Sequence, residues 1–334
     1  MTGVARIAVR RGPIGGIAAG SDGRRLVVTN CADHSVSVID IDTAAVMETL
    51  TGTAEPFAVA IGAARGGTAR AYVSTATAAY DAIAVISLRT NTVIATHPVA
   101  LHVNDLAVSR SGKRVYASRT GADRADVAML DTTSGRVDAF DIATTPDATA
   151  GHLCLSTNGR QLYLATQRPS GAALAVVGIR AERVLNLIEI GFCIRDVALS
   201  PDGRQAYVAG WDPGFGATVK TIDTRAGVVT GTVKLGGFLT GMTLSGDGER
   251  AYLVTGDGVT VLCTRTQQII GTIAAGPAPS CVAESPGGDR FYVADYGGAV
   301  TVVSITALKQ PFNVTPMDLD KRGPMPHSKN RKDY

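Results

Sequence analysis

The chain reads as a succession of short apolar runs separated by polar, glycine-bearing turns, with no amphipathic helical stretch. One phrase recurs: an apolar strand, a Ser/Asp/Gly turn, then Arg or Lys, a variable residue, an aromatic and an aliphatic residue. It appears as AVSRSGKRVYAS, CLSTNGRQLYLAT, ALSPDGRQAYVAG, TLSGDGERAYLVT and AESPGGDRFYVAD, with looser copies at AAGSDGRRLVVTN and IGAARGGTARAYVS. Its aromatic slot falls at Val27, Tyr72, Tyr116, Tyr163, Tyr207, Tyr252 and Tyr292, at intervals of 45, 44, 47, 44, 45 and 40 residues. Self-similarity at this period is the signature of a repeat architecture.

Each copy holds four β-rich runs. In the first they are Gly16–Gly20, Leu26–Thr29, Ser35–Ile41 and Val46–Thr51, and Asp22-Gly23 supplies the positive φ that a tight hairpin requires. Val, Ile, Ala and Thr occupy both faces of these runs, as expected for sheets sandwiched between other sheets. Four strands per copy and no helix describe a propeller blade. The expected fold is all-β, a seven-bladed β-propeller of four-stranded blades spanning residues 1–308. Its blades fall at about 15–56, 57–103, 104–149, 150–193, 194–238, 239–279 and 280–308. The last copy stops after Ala299–Ile305, one strand short, while Ala5–Gly12 resembles fourth strands such as Ile269–Gly276. The N-terminal strand (residues 4–12) is therefore expected to complete the last blade and close the ring, burying two edges that would otherwise invite aggregation. Residues 309–334, interrupted by Pro311, Pro316, Pro324 and Pro326, read as a disordered polar tail.

VVTNCADHSVSVIDIDT in the first copy and FYVADYGGAVTVVSI in the last resemble the YVTN-type β-propeller repeat family. The resemblance covers nearly the whole repeat body, and the shared residues are turn glycines and strand apolars. It implies a binding or scaffolding module; similar seven-bladed rings also carry lactonases and redox-cofactor proteins. A fold of this kind does not choose among them.

Composition narrows the classes. The net charge of +3 is matched by residues 309–334, which hold six Lys/Arg against three Asp. The balanced remainder argues against a nucleic-acid surface on the body. The longest apolar run, Ala172–Ile179, is too short to span a bilayer, and MTGVARIAVRRGP lacks the apolar core of a signal peptide. Five scattered cysteines (Cys31, Cys154, Cys193, Cys263 and Cys281) without a CxxC read as buried thiols in a reducing compartment. A cytoplasmic monomer is the expectation.

No nucleophile elbow, zincin, EF-hand or P-loop motif occurs. The SDG, PDG and GDG segments all lie at the same hairpin turn and read as structural rather than calcium-binding. His97 and His102 lack a third ligand, so neither a metal nor another cofactor is expected. His34 reads as solvated and His327 lies in the tail. Propeller topology places the turn glycine on one face and the start of the innermost strand on the other, beside the central channel. Counting eight and seven residues back from each turn glycine samples that channel mouth. The count gives Asn104 and Asp105, Gly151 and His152, and Arg195 and Asp196 in blades three to five; elsewhere it gives Gly, Ala, Val, Thr, Ser and Cys. The loops between second and third strands add Arg119, Asp123, Arg124, Asp126, Gln167, Arg168 and the only tryptophan, Trp211. Trp211 reads either as a platform for a partner or as a plug between blades; Arg195–Asp196 reads either as a ligand site or as an ion pair bridging blades.

The leading expectation is a non-enzymatic binding or scaffold propeller that takes a protein or a small polar ligand at Asn104, Asp105, His152, Arg195, Asp196 and Trp211. The alternative is a lactonase-like hydrolase, with His152 as base, Arg195 facing the oxyanion and Asp196 beside them. A redox-cofactor carrier comes third, without a haem-attachment motif or axial-ligand cluster to support it.

Overall fold

The computed structural model describes residues 4–63, 69–256 and 258–305. Among the described residues, twenty-eight strands, β1–β28 in chain order, form seven four-stranded antiparallel sheets in a ring. The tail at 309–334, with His327, and part of the second blade's first turn lie outside the described residues. The first blade consists of β2 (Gly16–Ala19), β3 (Arg25–Asn30), β4 (Ser35–Asp40) and β5 (Ala45–Thr51), paired in that order. The innermost strands of the next six blades are β6 (Val59–Ala63), β10 (His102–Val108), β14 (Thr149–Leu155), β18 (Cys193–Leu199), β22 (Leu239–Leu244) and β26 (Pro279–Glu284).

The core lies between blades, not inside any one of them. Each apolar cluster joins two neighbouring sheets: Tyr163, Leu174 and Val176 meet Phe192, Val197 and Val208, and Tyr207 and Val219 meet Met242, Leu253 and Leu262. The recurring aromatic of blade n faces blade n+1 at every junction where it occurs. Tyr72, Tyr207, Tyr252 and Tyr292 are almost wholly buried, and Tyr252 stacks on Phe291 of the next blade at 4.5 Å. The periodic Tyr is thus an interface residue, and sheets buried on both faces explain the uninterrupted apolar run Ala172–Ile179, which β16 (Gly171–Gly178) carries up to its last residue.

The turn motif serves structure. Gly203 has φ +70°, Asp202 accepts the Arg204 N–H, and the Ser200 hydroxyl caps the loop through the Gln205 N–H. The Ser245-Gly246-Asp247-Gly248 loop repeats this arrangement, with Asp247 accepting from the Glu249 N–H.

The ring closes through β1 (Val4–Ala8), which pairs with β28 (Ala299–Ser304) from Val4↔Val303 to Ala8↔Ala299. The Val9 and Arg10 amides extend the contact by donating to the Gly298 carbonyl. Arg6 donates at 2.8 Å to the fully buried Asp295 carboxylate, so the closing strand also neutralises a buried charge. Ile7 and Val9 fill the last junction, between the seventh and first blades.

Candidate functional site

Five inner strands share one irregularity. Their pairing slips between Val103 and Asp105, Ala150 and Leu153, Ile194 and Asp196, Leu239 and Gly241, and Pro279 and Cys281. The extra residues are Asn104, Gly151 with His152, Arg195, Thr240 and Ser280. A bulge takes a residue out of the ladder and re-aims its side chain. All seven blades contribute to a cavity of about 460 Å³ at the channel mouth, and Asn104, Asp105, His152, Arg195 and Asp196 line it. This volume falls within the range of small-molecule sites.

Asp105, His152 and Asp196 occupy the same repeat position in three successive blades. Asp105 accepts the Leu106 N–H at 2.8 Å and, across the junction, the Leu153 N–H at 3.0 Å. Asp196 does the same two blades on, accepting Val197 and Met242 N–H groups, both at 2.8 Å. A bulge leaves backbone donors without ladder partners, and these carboxylates satisfy them while stapling one blade to the next. His152 stands between the two staples. Its Nδ1 lies 3.4 Å from Asp105 Oδ2 and 3.8 Å from Asp196 Oδ1.

The electrostatics follow from this placement. Burial works against a charged imidazole, but Asp196 and Asp105 outweigh it, and the His152 pKa is pushed up to about 9. Burial raises the Asp196 pKa, opposed by the imidazolium and the Met242 N–H. Burial likewise pushes the Cys281 thiol up to about 12 and the Cys154 thiol higher still, so neither is a nucleophile near neutrality. Among the described residues, no three His, Cys, Asp or Glu side chains are grouped to hold a metal ion.

The structure brings five of the six candidate residues into one cavity and leaves Trp211 outside it. Trp211 lies on β19 (Gln205–Asp212), opposite Cys193, and is 43% exposed, so it neither lines the mouth nor plugs a junction. Arg195 and Asp196 make no ion pair with each other: Asp196 bridges blades through the Met242 amide, and Arg195 stands exposed on the cavity wall. Arg119 and Asp126 are not loop residues on the channel face. They sit on β11 (Arg114–Thr120) and β12 (Ala125–Asp131), buried against each other in a two-pronged ion pair at 2.7 and 2.8 Å, with Arg119 also donating to the Val99 carbonyl. Arg168 is held by Glu189 at 2.6 Å. His34 is exposed, but its Nδ1 accepts the Glu55 N–H. The cysteines are half-buried, not buried, and Cys193 is exposed.

Three aromatic side chains of the wall were missed by counting: Phe57, Phe238 and Tyr296, each about half exposed. Phe238 immediately precedes β22 and Phe57 stands two residues ahead of β6, in connections that the seven-and-eight count does not sample. An aromatic just ahead of the inner strand was the available signal for these two.

No protein-family model matches the chain, so the YVTN-type resemblance rests on the repeat residues alone. The ring architecture recurs in solved structures. A Kuenenia stuttgartiensis hydrazine synthase chain superposes with a TM-score of 0.76 at 21% identity, over 88% of this chain and 96% of that one. The Cps50 (Swd1) β-propeller domain of Myceliophthora thermophila superposes with a TM-score of 0.71 at 13% identity, over 90% of this chain and 99% of that one. At such identities the likeness is one of fold only. No helix among the described residues is long and apolar enough to cross a membrane. The seven-bladed β-propeller protein Rv1057 of Mycobacterium tuberculosis is 46% identical over 336 aligned positions, which take in 91% of this chain and 85% of that protein. The chain belongs to the family of seven-bladed β-propeller proteins that includes Rv1057.

Proposed function

We propose that this protein is a non-catalytic binding propeller that takes a small polar ligand in its channel mouth. The observation that carries the reading is the convergence of Asn104, Asp105, His152, Arg195 and Asp196, spread over three blades, on one cavity of about 460 Å³. Concave sites with a few convergent polar groups on an apolar wall are the usual form of a ligand pocket. The lactonase-like alternative uses the same His152 and Arg195. It asks His152 to take a proton from water, and an imidazolium held between two carboxylates has no free lone pair near neutral pH. That electrostatic setting favours binding over hydrolysis.

The test is a metabolite library screened by thermal shift, with hits followed through the His152 ring resonances. Ligands that raise the melting temperature and move those resonances support the reading. A panel of sugar and aliphatic lactones should show no turnover above background; turnover lost in His152→Gln would replace binding with hydrolysis. A library without a single hit at the cavity would sink the binding reading.

A further inference from the structure

We propose that the channel-mouth cavity selects small organic anions, holding an acidic head group on Arg195 and His152 and an apolar body against Phe57, Phe238 and Tyr296. The inference rests on the binding reading above and assigns its ligand class.

The cavity's acceptors are largely spent and its donors are free. Each oxygen of Asp105 and of Asp196 already accepts a backbone N–H, and one oxygen of each also faces His152. These carboxylates have little capacity left for a ligand's donors. Both contacts of His152 use Nδ1, which leaves Nε2–H for the cavity. Arg195 forms no ion pair with any carboxylate among the described residues, and its guanidinium carries five N–H donors. The Thr240 hydroxyl, on the next bulge, is buried and without a hydrogen-bond partner. Asn104 donates through its amide N–H₂ to the Thr120 hydroxyl at 2.9 Å, and its carbonyl is left to accept from a ligand hydroxyl.

Ion pairing points the same way. Asp105 and Asp196 are engaged by His152 and by backbone amides, so although the four charged groups sum to zero, Arg195 is the lining cation that makes no ion pair among the described residues. An oxyanion on Arg195 would gain charge-assisted hydrogen bonds in a recessed site, where they are about twice as strong as neutral ones. A ligand amine would instead meet Arg195 and the imidazolium, with only neutral acceptors such as the Asn104 carbonyl to receive it. The wall is also two-sided. The charged groups come from blades three to five, while the exposed rings of Phe57, Phe238 and Tyr296 come from the connections into blades two and six and from blade seven. A ligand that uses both halves has an acidic end and an apolar, preferably planar, end.

The experiment uses the full chain and four probes of similar shape: phenylacetate, phenyl phosphate, phenylacetamide and phenethylammonium. Binding is read at low ionic strength from the His152 ring resonances, assigned with His152→Gln. The anions should shift them saturably, and phenylacetamide should bind at least about tenfold more weakly, a difference of roughly 1.4 kcal/mol. The better of the two anions identifies the head group as carboxylate or phosphate. Arg195→Gln, whose melting temperature should not change, should weaken the anions by a similar factor and leave the amide unaffected. Phenylacetamide or phenethylammonium binding as tightly as phenylacetate would overturn the anion class while leaving a binding propeller intact. If no probe moves the His152 signals, the anion proposal fails, and the binding reading falls with it only if the metabolite library also yields nothing. Anion affinity unchanged in Arg195→Gln would overturn the assigned anchor.

Discussion

Blades one and two and blades three to five are copies of one repeat that use the same position for opposite ends. In β2 and β6 the inner strand pairs with its neighbour without a slip, and its first residues are Gly16 and Val59. In β10, β14 and β18 the strand bulges, and the matching residues are Asp105, His152 and Asp196. The interface position does not vary in this way: Val27, Tyr72, Tyr116, Tyr163 and Tyr207 are all buried against the following blade. A propeller therefore separates its constraints. Residues between blades must fill a fixed gap, so the repeat shows there. Residues at the channel face a void, and bulges free them to differ from blade to blade. The β1–β28 seam of the ring is where stability is at stake, and the bulged inner strands of blades three to five are where chemistry is concentrated.

The hardest test of that division is to cut the closing side. Deleting residues 1–12 removes β1 and its ladder to β28, strips Ile7 and Val9 from the last junction, and leaves the buried Asp295 without Arg6. Arg6 is half exposed and Asp295 keeps the Ala299 N–H, so losing this pair costs less than the about 3–5 kcal/mol of a fully buried one, and the lost ladder and packing add to it. The truncated chain should aggregate or lose its cooperative thermal transition. A truncation that melts like the full chain would show that closure is not where the ring is held.

Two glycines at equivalent positions sharpen the comparison. A Cβ on Gly16 would lie 2.4 Å from the Phe57 carbonyl and 2.8 Å from the Thr29 hydroxyl, which itself donates to that carbonyl. Backbone must move to admit it. Gly16→Ala should destabilise by about 1–3 kcal/mol, the range for overpacking a tight site. A Cβ on Gly241 finds its nearest neighbour, Asp196 Oδ2, at 3.7 Å, an ordinary contact. Gly241→Ala should leave the melting temperature unchanged or slightly raised. Equal costs at the two positions, measured by urea denaturation, would erase the proposed difference between the halves.

What the sequence reveals follows the same boundary. The blades, the buried Tyr and the closing strand were legible because interface packing repeats its demand in each copy. The placement of Asn104, Asp105, His152, Arg195 and Asp196 at one mouth was legible through the same arithmetic, since each stands at a fixed distance from a turn glycine. The links among them were not. Nothing in the spacing tells that Asp196 reaches the Met242 amide rather than Arg195, because that bond depends on a bulge in the next blade. Trp211 misled for a related reason: a solitary aromatic beside a polar loop carries no register, and here it sits at the end of a second strand. Arg119 and Asp126 looked like surface charges because a buried ion pair and a solvated loop share the same composition.

The narrowest expected effect, confined to one range of pH, is the most specific to the bulged side. The groups facing His152 are Asp105 and Asp196, which raise its pKa to about 9, and Arg195, which opposes them. Cys281 and Cys154 are nearby as well, with thiols held neutral beyond this range. With the ordinary value near 6.5, the folded chain binds more protons than the unfolded one between about pH 6.5 and 9. The contribution of His152 is therefore fully present below pH 6.5 and is lost as pH rises through 9. Glu284, pushed up to about 7 by burial on the sixth–seventh blade junction, acts in the same direction but lower, between about 4.5 and 7. The two can be separated by the difference in unfolding free energy between the native chain and His152→Gln. That difference should be flat through the Glu284 range and shrink from pH 6.5 to 9, while the His152 ring resonances titrate near pH 9. A midpoint near 6.5 would mean that the two carboxylates do not hold the imidazole, and the three-blade link at the mouth would have to be abandoned.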